Sequence, residues 1–170
     1  MKDSVELDSL DLKLLDLLQT DSSLTNQALA EKVHASAPTC LRRVKRLREL
    51  GVIRKEVALL SAAHCGQPLT VIVNLTLESQ AADEIAQFEQ KLIDEPWVTQ
   101  CYRVSSGADL VIILTLPDMP AYHALAHRLF TSEHKVRNVR SLFSSHCSKF
   151  ETRIALKPAH EPLSQFGGKY

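Results

Sequence analysis

Between Cys40 and Lys55 the chain carries Arg42, Arg43, Lys45, Arg46, Arg48, Arg54 and Lys55 against one acid, Glu49. The whole sequence holds 20 basic and 20 acidic residues. Everything outside this segment is therefore net acidic, and the basic density is a true local asymmetry. Thr39, Arg42, Arg43 and Arg46 fall at i, i+3, i+4 and i+7, one stripe of a helix roughly opposite Leu41, Val44 and Leu47. Such a helix can rest one face on its own domain and offer the other to a polyanion. Arginine suits that task because its planar fork grips a guanine edge or a phosphate at two points. A merely solvated charged face is the bland alternative, and the residues upstream decide between the two.

Those residues have helical periodicity. Leu7, Leu10, Leu14 and Leu18 define a first helix, with Asp8 as its N-cap and Asp8, Asp11, Lys13 and Asp16 expected to turn outward. Asp21-Ser22-Ser23 ends it. Thr25 caps a short second helix that buries Leu29, Ala30 and Val33, with Leu24 and Leu29 as a hydrophobic staple. A tight break at His34-Ala35 follows; His34 is expected to tolerate a positive φ there. Ser36 caps the third helix, Pro38 fits its first turn, Cys40, Leu41, Val44 and Leu47 form its apolar stripe, and Gly51 closes it. Three helices in about fifty residues with a tight turn before the last make a helix-turn-helix. Ser36 and Thr39, at the N-terminus of the basic helix, can hold a phosphate with hydroxyls and free amides. Residues 52–60 read as extended, a wing or connecting strand.

Beyond a linker at 61–68 the pattern changes. Leu69, Val71, Val73, Leu75 and Leu77 alternate as a strand, and Ala81, Ile85, Phe88 and Leu92 mark a helix closed by Pro96. A strand over 98–104, a turn at Ser105-Ser106-Gly107 and a nearly continuous apolar strand over 109–116 follow, the last expected to be buried on both faces or at a subunit interface. Asp118 and Pro120 open a helix carrying Tyr122, Leu125, Ala126, Leu129 and Phe130, and a long strand is expected from Val136 to about Phe150. The order β-α-β-β-α-β is ferredoxin-like. The fold class is α+β: an N-terminal winged helix-turn-helix and a C-terminal ferredoxin-like βαββαβ domain. The expected divisions are 1–60, a helix-turn-helix DNA-binding domain; 61–68, a linker; 69–152, the βαββαβ domain; and 153–170, a loose tail.

Other functions find little support. Cys40, Cys65, Cys101 and Cys147 form no CxxC pair and read as reduced thiols. The polar start has no signal-peptide core, and the longest apolar run, Leu110 to Leu114, is too short to cross a bilayer, so a cytoplasmic protein is expected. His123 and His127 stand at i, i+4, a spacing that can grip zinc, but no glutamate of an HExxH motif lies between them and no third ligand is evident. A metal-responsive or ligand-binding oligomeric module using this pair is the alternative reading. No phosphate loop or catalytic constellation appears, and no cofactor is expected.

The chain resembles the Lrp/AsnC family of bacterial transcription regulators. Leu7-Asp8-Ser9-Leu10-Asp11-Leu12-Lys13-Leu14-Leu15 is similar to that family's L-D-x-x-D-x-x-I/L-L first helix. Leu24-Thr25-Asn26 with Leu29-Ala30 and Val33 resembles its second helix, residues 36–47 its recognition helix, S-x-x-x-C/V-x-x-R-V/I-x-x-L, and Gly51-Val52-Ile53 the motif after it. The likeness spans about residues 7–152. It implies that Ser36, Thr39, Arg42, Arg43 and Arg46 meet double-stranded DNA. It implies that an amino acid or related metabolite binds near Ser105, Ser106, Gly107 and Asp109, and that domains pair through their sheets into homodimers that commonly reach octamers. The family turn reads T/S-G-x-x-D; here Ser106 holds the glycine position and Gly107 follows, so the positive-φ residue is expected to have moved by one. Leu110 stands where an aromatic is common. Asp109 either pairs with a ligand ammonium or closes the turn. The whole reading requires that 36–50 be one helix with its guanidinium groups turned outward, not locked on acidic neighbours.

Overall fold

The computed structural model describes residues 5–131 and 136–156. Among these residues there are two compact units, one from residues 5–58 together with 149–156, the other within Leu59–Ser148.

In the first unit, α1 (Ser9–Thr20), α2 (Asn26–Val33) and α3 (Ala37–Glu49) enclose Leu14, Leu29, Ala30, Val33, Cys40 and Val44. Each helix starts where the sequence supplies a cap. The Asp8 carboxylate accepts from the Leu10 and Asp11 amides, Thr25 Oγ1 from Ala28, and Ser36 Oγ from Thr39. His34 ends α2 in the left-handed region at φ 55° and ψ 48°, as expected of the break, and Gly51 does the same after α3 at φ 72°. Two orientations differ from the sequence expectation. Asp11 does not turn outward: it is 1% exposed, because Leu14 and Leu15 at i+3 and i+4 carry it onto the buried side of α1. Leu41 leaves the apolar stripe and is 54% exposed, because the core side of α3 is centred on Cys40, Val44 and Leu47. Residues 54–60 are exposed and make no strand ladder among the described residues.

In the second unit, β1 (Leu69–Leu77), α4 (Ala82–Ile93), β2 (Val98–Arg103), β3 (Leu110–Leu116), α5 (Met119–Phe130) and β4 (Val136–Phe143) give the expected order. The sheet runs β2-β3-β1-β4 with every neighbouring pair antiparallel. One face carries Val71, Val73, Leu75, Leu110, Ile112 and Leu114, and Ile85, Phe88 and Leu92 of α4 with Tyr122, Leu125 and Leu129 of α5 cover it. The apolar strand β3 is thus fully buried on one face only; Val111, Ile113 and Thr115 on the other are half-buried. β4 also stops earlier than expected. Val71 opposes Phe143 and the Ser144 amide donates to Thr70 O, so β1 offers little further to pair with, and the chain turns polar at Ser144-Ser145-His146.

The segment from Lys149 rejoins the first unit instead of extending the sheet. Arg153 meets Asp16 of α1 at 2.6 Å, the Ile154 amide donates to Gln19 Oε1 at 2.8 Å, and Gln19 Nε2 donates to Ile154 O at 3.2 Å. The expected loose tail from residue 153 therefore begins anchored, and residues 157–170 lie outside the described ones. Among the described residues no helix is long and apolar enough to cross a membrane.

Ile112, fully buried at the centre of β3, tests the core. Ile112→Ala is expected to destabilise the second unit by about 2–5 kcal/mol, read as a lower urea midpoint. A change under ~1 kcal/mol contradicts this packing.

Candidate DNA interface and effector turn

α3 is a single helix, as the sequence requires, but its cations are not equivalent. The core side lies along Cys40, Val44 and Leu47. Arg43, three residues after Cys40 and four before Leu47, stands on the shoulder of that side. Its Nη1 donates to Asp8 Oδ2 at 2.6 Å and to Asp11 Oδ1 and Oδ2 at 3.2 and 3.3 Å. Arg46 Nη1 donates to Asp11 Oδ2 at 3.1 Å. The expectation that both guanidinium groups point away from acidic neighbours is corrected here. Helical geometry brings Arg43 over α1, and the buried Asp11 charge requires cationic partners. The Asp11 amide donating to Asp8, and then the Arg43 guanidinium, hold the Asp8 carboxyl below its ordinary range; Asp8 in turn raises the pKa of Arg43.

The other basic side chains divide further. Arg48 donates from Nε and Nη2 to Glu56 Oε1, at 3.2 and 2.7 Å, and Lys45 lies 3.8 Å from Glu49. Arg42 sits on the helix side away from the core, is exposed, and has no ion-pair partner among the described residues; nor do Arg54 and Lys55. Ser36 and Thr39 cap α3 together, their hydroxyl oxygens 2.8 Å apart, at a helix end whose amide dipoles favour anions. This geometry supplies one outward guanidinium on Arg42, half of another on Arg46, which is 44% exposed, and a hydroxyl pair at the N-terminus.

The turn between β2 and β3 exposes Ser105 and Ser106 and passes through Gly107 at φ 78°. The positive φ stands one residue later than in the T/S-G-x-x-D pattern, as expected, and Ser106 is spared that strain. Asp109 bridges this turn to the end of β1. Its Oδ2 accepts from the Leu77 amide at 2.7 Å, its Oδ1 from Gln80 Nε2 at 3.0 Å, and its own amide donates to Leu75 O at 2.9 Å. The Leu77 amide, and after it Gln80, hold its carboxyl below the usual range. Both oxygens thus serve in closing the turn, while a carboxylate retains lone pairs for a further donor. Nothing in the sequence three residues past β1 marks Gln80 for this contact. His123 and His127 lie on the exposed side of α5, and no group of three or more metal-ligating side chains occurs among the described residues.

Comparison with known proteins decides the family. Residues 7–54 match the profile of winged helix-turn-helix DNA-binding domains, and residues 70–154 that of the Lrp/AsnC ligand binding domain. The chain belongs to the Lrp/AsnC family of DNA-binding transcription regulators. An uncharacterised HTH-type transcriptional regulator of Haemophilus influenzae is 37% identical over 88% of this chain and 89% of its own. The crystal structure of an AsnC family transcriptional regulator from Agrobacterium tumefaciens is 34% identical, with a TM-score of 0.83, over 88% of this chain and 97% of that one. A Neisseria meningitidis transcriptional regulator solved as an L-Met complex is 30% identical, with a TM-score of 0.82, over 88% and 96%. Family membership makes the chain a regulator with a ligand-binding domain, not an enzyme.

Asp109→Ala removes both side-chain bonds and leaves the Leu77 amide without its acceptor. A loss of about 1–3 kcal/mol in the second unit and faster hydrogen exchange at the Leu77 amide are expected. The charge-dependent part of the wild-type contribution is full above the ordinary carboxylate pKa of about 3.9 and is lost as the pH falls through the lowered folded-state value. The gap between the urea midpoints of the two proteins must therefore narrow down through the acid range; a constant gap contradicts the assignment.

Proposed function

We propose that the protein regulates transcription as a homo-oligomer in the cytoplasm, binding double-stranded DNA through α3 and answering to an amino acid at the β2–β3 turn. The outward, unpaired position of Arg42 on a capped helix is the observation that carries the DNA part. With it, Ser36, Thr39 and the free edge of Arg46 are the proposed contacts, and Arg43 serves them from behind. Two such helices in a dimer would enter successive major grooves about one helical turn apart.

The open face of the sheet supports pairing with a second copy. Leu142, Ile72 and Ile113 lie side by side across β4, β1 and β3, and Val111 opposes Tyr102 in the next row. Ile72, Tyr102 and Leu142 are 37%, 52% and 44% exposed, a cluster of apolar surface that association would bury. Octamers are the proposed higher assembly. For the effector, the exposed Ser105 and Ser106 hydroxyls, the bend at Gly107 and the Asp109 carboxylate offer donors and acceptors suited to an amino acid. The L-Met complex of the Neisseria meningitidis regulator supports that class. Binding there shifts assembly or DNA affinity only by its difference in affinity between the two states.

Arg42→Ala is expected to weaken binding to a duplex that the wild-type protein selects from a random library, and to reduce the slope of log affinity against log salt by about 1. Unchanged affinity and slope contradict the α3 assignment. A thermal-shift screen of the twenty amino acids is expected to yield at least one ligand that raises the melting temperature, an effect lost in Ser106→Trp. A screen without any shift removes the amino-acid reading.

A further inference from the structure

The acids on α1 sort the cations on α3. Asp11 is a charged side chain 1% exposed, and its oxygens receive Arg43 and Arg46 together with the Asp8 amide, the last at 3.3 Å. Asp8, 49% exposed, takes the same Arg43 Nη1 from the solvent side at 2.6 Å. Two carboxylates and two guanidinium groups thus form one neutral cluster. Arg43, 26% exposed, is withdrawn into it; Arg46 is tied at one nitrogen and half presented; Arg42 lies outside. A guanidinium already facing two carboxylates gains little by meeting a phosphate, whereas an unpaired one releases a full counterion from DNA. The cluster therefore sets how many charges α3 offers and in which direction.

We propose that Asp8 and Asp11 are positioning residues that ration the positive charge of α3, withholding Arg43 from DNA and aiming Arg46, so that discrimination between sequences exceeds what the uncompensated helix would have. The proposal rests on the reading of α3 as the DNA-facing helix. Phosphate attraction is indifferent to sequence, so each guanidinium released onto the backbone strengthens every duplex and dilutes the share contributed by base contacts.

The test uses the full-length protein, the library-selected duplex and a scrambled duplex of equal length, with affinities measured across a salt series. Asp8→Asn is the primary variant, because asparagine caps a helix as well as aspartate while losing the charge. It is expected to tighten scrambled-duplex binding, to steepen the salt slope by up to about 1, and to narrow the ratio of selected to scrambled affinity. Asp11→Asn is expected to do the same more strongly, by about 1–2 in slope, measured below its own melting temperature. Arg43→Ala combined with Asp8→Asn leaves the cluster neutral again and is expected to cancel the steepening. A purely structural role would lower the melting temperature without moving slope or ratio. Unaltered slope and ratio in Asp8→Asn, or a steepening that persists in the Asp8→Asn, Arg43→Ala double variant, overturns the proposal. Failure of the α3 reading shows separately, as an Arg42→Ala protein that binds like wild type.

Discussion

The DNA-binding unit depends on one buried charge. Asp11 is almost wholly removed from water, and an isolated carboxylate in that position would cost several kcal/mol. Its cost is offset only when Arg43, Arg46 and the Asp8 amide all reach it, which happens in one arrangement of α1 against α3. Apolar packing of Leu14, Leu29 and Val44 favours compaction but tolerates some rotation of one helix on another. The ion cluster does not, because rotation of α3 by a fraction of a turn would strand a charge. Burial supplies the bulk of the stabilisation, and the carboxylate fixes the angle at which the outer face of α3 is displayed.

The regulatory unit uses the same device in a lighter form. Asp109 reaches from the start of β3 to the Leu77 amide at the end of β1 and to Gln80 beyond it. A turn that bends through Gly107 and exposes two serines is thereby held to the central strands. In both units an acid near the start of an element captures donors from another element.

Most of the fold was legible in the sequence because caps and periodicity are local. Asp8, Thr25, Ser36 and Asp118 each start a helix as their chemistry dictates, and the alternation of Leu69 to Leu77 matches the buried face of β1. What escaped depended on partners. The ends of β4 are set by β1, not by its own residues, and the docking of Arg153 and Ile154 on α1 joins positions far apart in sequence. The locking of Arg43 was readable in part. An acid at i−3 to Leu14 and a base at i−4 to Leu47 both stand on apolar faces, and such a pair on facing helices predicts their meeting. The arginines form one stripe in sequence but divide between the core shoulder and the outer face of α3. At the β2–β3 turn, Gly107 is legible because glycine best suits the positive-φ bend, whereas Gln80 depends on a loop conformation that carries no periodic signal.

The return of the chain after β4 has a topological outcome. The regulatory unit is inserted within the DNA-binding one: the polypeptide departs at Ala58 and comes back at Lys149. Its points of entry and departure are neighbours, since Val71 faces Phe143 and Ser144 is bonded to Thr70. Two leashes therefore join the units, both from the end of the sheet where β1 starts and β4 stops. Cutting the gene at the apparent boundary near residue 60 would sever one leash and discard the lining that Arg153 and Ile154 give to α1.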